Sequence, residues 1–97
     1  MTGYLPYLIE KHGYDEQSVI RWIENQLRRY SNVFVTSNIY EFNIIVVGGG
    51  ASYVYNEKFI QVLGVPVTFD GLDMDKGIMI FKISKNDLRK FDKRWSK

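Results

Sequence analysis

The residues best suited to chemistry lie in the second half of the chain. Asp70, Asp73 and Asp75 fall within one short segment, and carboxylates so close together could hold Mg²⁺ or Ca²⁺. No Glu follows at the end of that segment, as a full calcium loop requires. An acidic, solvated hairpin loop is the preferred reading, and the three remain weak metal candidates. The densest charge comes at the C-terminus. Between 84 and 97, Lys85, Arg89, Lys90, Lys93, Arg94 and Lys97 face only Asp87 and Asp92, a net charge of +4, whereas residues 1–83 hold seven basic and nine acidic side chains, net −2. A helix so charged could contact a phosphate backbone. It could equally dock on an acidic protein surface, or be a solvated last helix whose cations suit the negative end of its dipole. These six are the candidate partner- or nucleic-acid-binding residues. Arg21, Arg28 and Arg29 would extend the patch if the first and last helices are neighbours.

Other chemistry is excluded or poorly supplied. The chain has no cysteine and a single histidine, His12, which removes disulfides, thiolate metal sites and a cysteine nucleophile. No Ser/His/Asp set, paired glutamates or metal-ligand motif is present. No catalytic residue is therefore assigned, and an enzyme is not expected. The minor alternative is a metal-dependent nuclease built on Asp70, Asp73 or Asp75. Ile44 to Ser52, running into Gly48-Gly49-Gly50 and followed by Val65 to Asp70, imitates a dinucleotide-binding βαβ unit. Tyr53 stands where the third glycine belongs, no Walker lysine follows Gly50, and only 27 residues remain after Asp70. The glycines read instead as a strand-to-helix turn needing positive φ, and no cofactor is expected.

The elements that would position these residues follow from periodicity. Residues 1–14 read as one or two helical turns or an ordered arm: Leu5, Leu8, Ile9 and His12 are helically spaced, Pro6 suits only a first turn, and Gly13 ends the pattern. A helix is predicted near 16–30, with Asp15 as N-cap, Ile20, Ile23, Leu27 and Tyr30 as its apolar stripe, and Glu24 and Arg28 spaced as an i, i+4 pair. Residues 33–37 and 42–47 read as strands around a turn from Asn38 to Glu41. A helix over 53–63 is preferred to a strand at Ser52–Tyr55, with Ser52 as N-cap and the Gly64 and Pro66 stop signals behind it. Val65 to Asp70 alternates as an edge strand marked by Pro66, and Asp70 to Gly77 reads as a polar loop. Residues 78–83 form another apolar run. Ser84 opens a last helix through a Ser84-x-x-Asp87 capping box, with Leu88, Phe91 and Trp95 as its stripe.

The two most apolar strands, 42–47 and 78–83, belong in the centre of the sheet, with 33–37 and 65–70 outside. The fold class predicted is α+β: a two-layer sandwich of a four-stranded, possibly five-stranded, antiparallel sheet with helices on one face. That is a permuted ferredoxin-like αββαββα order. Phe42 or Phe34, with Met79 and Phe81, make a bare second sheet face implausible, so a homodimer or another partner is expected there.

Length and composition bound the rest. Ninety-seven residues make a single domain, 1–97. The net charge of +2 argues against a broadly basic nucleic-acid wrapper, and 45% apolar with 25% charged residues matches a folded chain. No apolar run reaches the roughly 20 residues of a membrane helix and no secretion signal is evident, so no membrane partner and a cytoplasmic location are expected. Aromatics make up 15% of the chain, which fits a small core built from large side chains or a surface that covers a partner.

In size, absence of cysteine and richness in Tyr, Ile and charged residues, the chain resembles small proteins of archaeal viruses. Among these are type I-D anti-CRISPR inhibitors, which are compact ferredoxin-like dimers. The resemblance lies in composition and architecture, and no motif carries a functional residue across. It implies a viral or mobile-element inhibitor that docks, without catalysis, on a host defence protein or nucleoprotein inside the host cell. The alternative is a nucleic-acid-binding protein using the basic C-terminal helix.

Overall fold

A computed structural model describes residues 4–48 and 50–93. Helix α1 (Leu5–His12) begins with Pro6 in its first turn, where a missing N–H costs nothing, and stops at Gly13 (φ 88°), whose own N–H bonds Ile9 O. Helix α2 (Glu16–Leu27) is capped by Asp15, whose carboxylate accepts the Ser18 N–H at 3.0 Å. It ends three residues before the expected boundary, because Tyr30 and Ser31 both return their N–H groups to Leu27 O and turn the chain into the sheet. Strands β1 (Asn32–Ser37) and β2 (Glu41–Val47) form a hairpin. Helix α3 (Ser52–Leu63) has Ala51 rather than Ser52 at its N-cap, and Gly64 (φ 73°) closes it in the left-handed region. Residues 52–55 are therefore helical. Strands β3 (Thr68–Asp73) and β4 (Ile78–Ser84) form the second hairpin, and α4 (Lys85–Arg89) follows without a break.

The sheet has four strands in the order β1-β2-β4-β3, all neighbours antiparallel. The near-continuous apolar runs do take the centre, and this is the order of a permuted ferredoxin-like sheet. Strand β4 separates β2 from β3, so the glycine turn does not lead between adjacent parallel strands as a dinucleotide site requires. The inner face carries Val33 and Val35, then Phe42, Ile44 and Val46, then Met79, Phe81 and Ile83, every second residue of each strand. Leu5, Ile9, Val19, Ile23, Leu27, Phe59, Leu63 and Leu88 meet them from the helices in one core. Phe59 sits edge-on to Phe81 with ring centroids 5.3 Å apart. Each such fully buried ring contributes about 1.5–3 kcal/mol by desolvation.

Three expectations are corrected. The edge strand starts at Thr68, not Val65. Val65 and Val67 are buried, but in an irregular approach whose Val67 carbonyl is bonded by Asn56 Nδ2 at 2.8 Å instead of by a strand. Residues 70–73, expected as loop, are strand, with a bulge between Phe69 and Gly71. The basic C-terminal helix is only five residues long within the described region, the Ser84 side chain makes no cap bond, and residues 94–97 lie outside the described residues. Beyond the helix the buried Asp92 carboxylate accepts the Tyr14 N–H at 2.8 Å, which ties the chain back to the α1–α2 connection.

Candidate functional site

The four basic candidates among the described residues, Lys85, Arg89, Lys90 and Lys93, do not form one surface. Lys85 is 4% exposed. Its Nζ lies 2.8 Å from Glu16 Oε2 and 5.4 Å from the Phe42 ring centre, so this cation joins α4 to the start of α2 and is withdrawn from any partner. Arg89 is half-buried with its guanidinium 5.5 Å from the Tyr14 ring centre. Burial first, and the Glu16 charge second, push the Tyr14 hydroxyl up to about 12, while Arg89 pulls the other way. Lys90 and Lys93 are exposed, Lys90 over the Phe91 ring at 5.6 Å. Arg94 and Lys97 lie outside the described residues. Arg28 does not extend the patch: Lys85 sits at Glu16, and Arg28 is twelve residues farther along α2, about 18 Å by helical rise.

The three aspartates also separate. Asp70 is an ion-pair partner of Lys82 at 3.4 Å, Asp73 Oδ1 accepts the Lys76 N–H at 3.2 Å within the β3–β4 turn, and Asp75 is exposed in that turn. Among the described residues no group of three His, Asp or Glu side chains is placed to hold a metal.

What the fold assembles is the outer face of the sheet. Phe34, Ile45 and Ile80 stand opposite one another across β1, β2 and β4, and Val47 pairs with Ile78 in the next outward row. Phe34 is 45% and Val47 37% exposed. Of the expected members Phe34 does face outward, but Phe42, Met79 and Phe81 point into the core, and the other apolar side chains of the outer face are the β-branched ones between them. Gly71 continues the first row beside Ile80, and a side chain there would meet nothing within 4 Å, which leaves a notch at the end of the stripe. The adjoining row, Thr36, Asn43, Lys82 and Thr68, is polar. Lys82 Nζ lies 3.0 Å from Glu41 Oε1 as well as near Asp70. Its hydrogen bond holds the Glu41 carboxyl below the ordinary range, and the same bond raises the lysine. Lys82 thus has two carboxylate partners within its own chain.

Both sheet edges are interrupted. On β1 two of the backbone groups that face away from β2 are taken by side chains from α2 and its C-cap: Arg28 Nε donates to Val33 O at 3.0 Å, and Glu24 Oε2 accepts the Val35 N–H at 3.0 Å. Glu24 and Arg28 are themselves 3.6 Å apart, the i, i+4 pair expected from the sequence. On β3 the bulge at Asp70 breaks the ladder.

The missed signal was parity. In a run that is apolar at every position, sequence gives no clue to which residues face inward. Burial alternation along β2 and β4 settles it. Among the described residues no helix is long and apolar enough to cross a membrane. A scan against protein-family models finds no match to the chain, and searches of the curated proteins and of the solved structures find none either.

Proposed function

We propose that the chain is a non-enzymatic binding protein that works as a homodimer, its two copies joined through the outer faces of their sheets. The observation that carries this reading is the stripe Phe34, Ile45, Ile80, Val47 and Ile78, contiguous across three strands, with Phe34 and Val47 exposed and the three isoleucines half-buried. A second copy suits it for two reasons. The one cation beside the stripe, Lys82, is held within its own chain by Glu41 and Asp70, so two like faces meet without an unmatched cation. The capped β1 edge and the bulged β3 edge oppose joining by sheet extension and direct association to the face.

Sedimentation velocity on the protein and on Ile80→Asp tests it. The parent is expected to dimerise at micromolar concentration and the variant to remain a folded monomer. A parent that is monomeric at about 100 µM, a concentration where a typical specific interface would be saturated, overturns the homodimer.

The compositional resemblance to archaeal-virus inhibitors supports a target in host defence, a protein or nucleoprotein in the cytoplasm of the host cell. Addition of purified protein to a type I-D interference reaction tests that part. A stoichiometric block is expected, and undiminished target cleavage at saturating protein removes it.

A further inference from the structure

Strand register and residue size make the sheet's outer face complementary to itself. Its rows run across the strands in the order β1, β2, β4, β3. The central row is Phe34, Ile45, Ile80 and Gly71, and the row above it is Asn32, Val47, Ile78 and Asp73. Below it lie Thr36, Asn43, Lys82 and Thr68, then Glu41 and Ser84. The central row therefore ends on β1 in an exposed phenyl ring and on β3 in bare backbone, where a Cβ would meet nothing within 4 Å. Knob and notch stand equally far from the midline between β2 and β4, one and a half strand spacings or about 7 Å.

We infer that two copies pack face to face about a two-fold axis that runs along the strands between β2 and β4, so that Phe34 of each copy fills the notch at Gly71 of the other. The inference rests on the reading of the chain as a homodimer joined through its outer faces, and adds the axis and the mate of each residue. Such an axis exchanges β1 with β3 and β2 with β4 and leaves every row opposite itself, with the strands aligned as stacked sheets prefer. Ile45 then lies on Ile80 and Val47 on Ile78. Each charged member of the rows meets a neutral side chain that can hydrogen-bond it: Asp73 faces Asn32, Lys82 faces Asn43, and Glu41 faces Ser84. The other two-fold in the plane, across the strands, does worse. Centred on the central row it sets Phe34 on Phe34 and Lys82 on Ile78, a cation against an apolar side chain. Area excludes a shifted axis. Four strands of about 4.8 Å spacing and seven residues of about 3.3 Å rise give roughly 19 by 23 Å, or on the order of 900 Å² for two copies. A specific interface needs about 1,000 Å², so no row can be left out.

The chain has no cysteine, so thiols can be placed singly. Thr36→Cys and Thr68→Cys, at the exposed ends of the polar row, are prepared separately, mixed in equal amounts and treated with a short bis-maleimide that spans sheets packed about 10 Å apart. The mixture is expected to give a covalent dimer containing one of each. Either variant alone gives little, because its two thiols lie toward opposite edges, roughly 14 Å apart across the strands. Phe34→Ala and Gly71→Phe should each weaken dimerisation about tenfold or more in sedimentation velocity, as the loss or displacement of an aromatic anchor does. Gly71 has no positive φ, so the larger side chain is compatible with the fold, and circular dichroism checks each variant. The double variant exchanges knob and notch and should recover most of the affinity. A parent that dimerises but gives no mixed crosslink, or a double variant weaker than both singles, overturns this pairing while the homodimer stands. A monomeric parent overturns both.

Discussion

The Glu24 carboxylate accepts the backbone N–H of Val35 at 3.0 Å, so a helix side chain occupies the position that another strand would take on the β1 edge. Together with the Arg28 bond to Val33 O, this makes an ion pair on α2 into a lid for the sheet edge. Glu24→Ala is expected to cost about 1–2 kcal/mol, the loss of a charge-assisted hydrogen bond at a half-buried site. It should also expose an edge that recruits other chains. Urea unfolding measures the first effect and light scattering on incubation the second. A variant as slow to aggregate as the parent contradicts the protective role.

The Lys85–Glu16 pair is asymmetric, and that predicts an order of stabilities. The lysine side chain is 5% exposed and the glutamate 38%. Glu16→Gln strands a buried cation, whereas Lys85→Met removes it and leaves the glutamate in contact with water. Glu16→Gln should cost about 3 kcal/mol and Lys85→Met about 1, following the general penalty for an unpaired buried charge. Equal losses in urea unfolding would show that the cation is solvated after all.

Phe59 is fully buried against Phe81 and next to Tyr55. Phe59→Ala should destabilise by about 3–5 kcal/mol, a large part of the stability of a domain this size. Thermal unfolding checks it.

Titration should show opposite limbs. Glu41 and Asp15 are held below the ordinary carboxylate range, by the Lys82 hydrogen bond and by the Ser18 bonds respectively. Their contribution is therefore present above that range and is lost as pH falls through their folded values. Tyr14, raised to about 12, behaves inversely. The folded state keeps its phenolic proton after the unfolded one has lost it, so stability declines as pH climbs from the ordinary tyrosine value toward 12. Absorbance at 295 nm should show one tyrosine ionising late, and Tyr14→Phe should remove that step. Glu41→Gln should flatten the acid limb of the stability curve.

Among the described residues the nucleic-acid alternative draws on Lys90 and Lys93, with Lys11 close by, since Lys85 is internal and Arg89 lies over Tyr14. It predicts retention on DNA or RNA that falls steeply with salt and is lost in Lys90→Glu with Lys93→Glu. Retention unchanged in the double variant ends that reading.

The sequence disclosed most of the layout for identifiable reasons. Asp15 and Gly64 are strong boundary residues, and the unbroken apolar character of 42–47 and 78–83 marks strands with neighbours on both sides. What it concealed was long-range. Lys85 looks like any solvated lysine until Glu16, 69 positions earlier, is placed beside it. Val65 and Val67 alternate like a strand because burial alone requires alternation, whether or not a ladder forms. The outer stripe stayed hidden because Ile44 and Ile45 are chemically identical and only register distinguishes them.

Asp70 is the one residue of β3 without an opposite number on β4. Shortening the chain by that single residue would leave Phe69 facing Phe81 and Gly71 facing Ile80, so nothing in the core would object. Yet the border of the sheet would become straight and regular, and Lys82 would lose one of its two anionic neighbours. The count of residues here, more than their chemical character, keeps the particle finite: a deletion that looks harmless on paper would give each molecule a place for the next to begin.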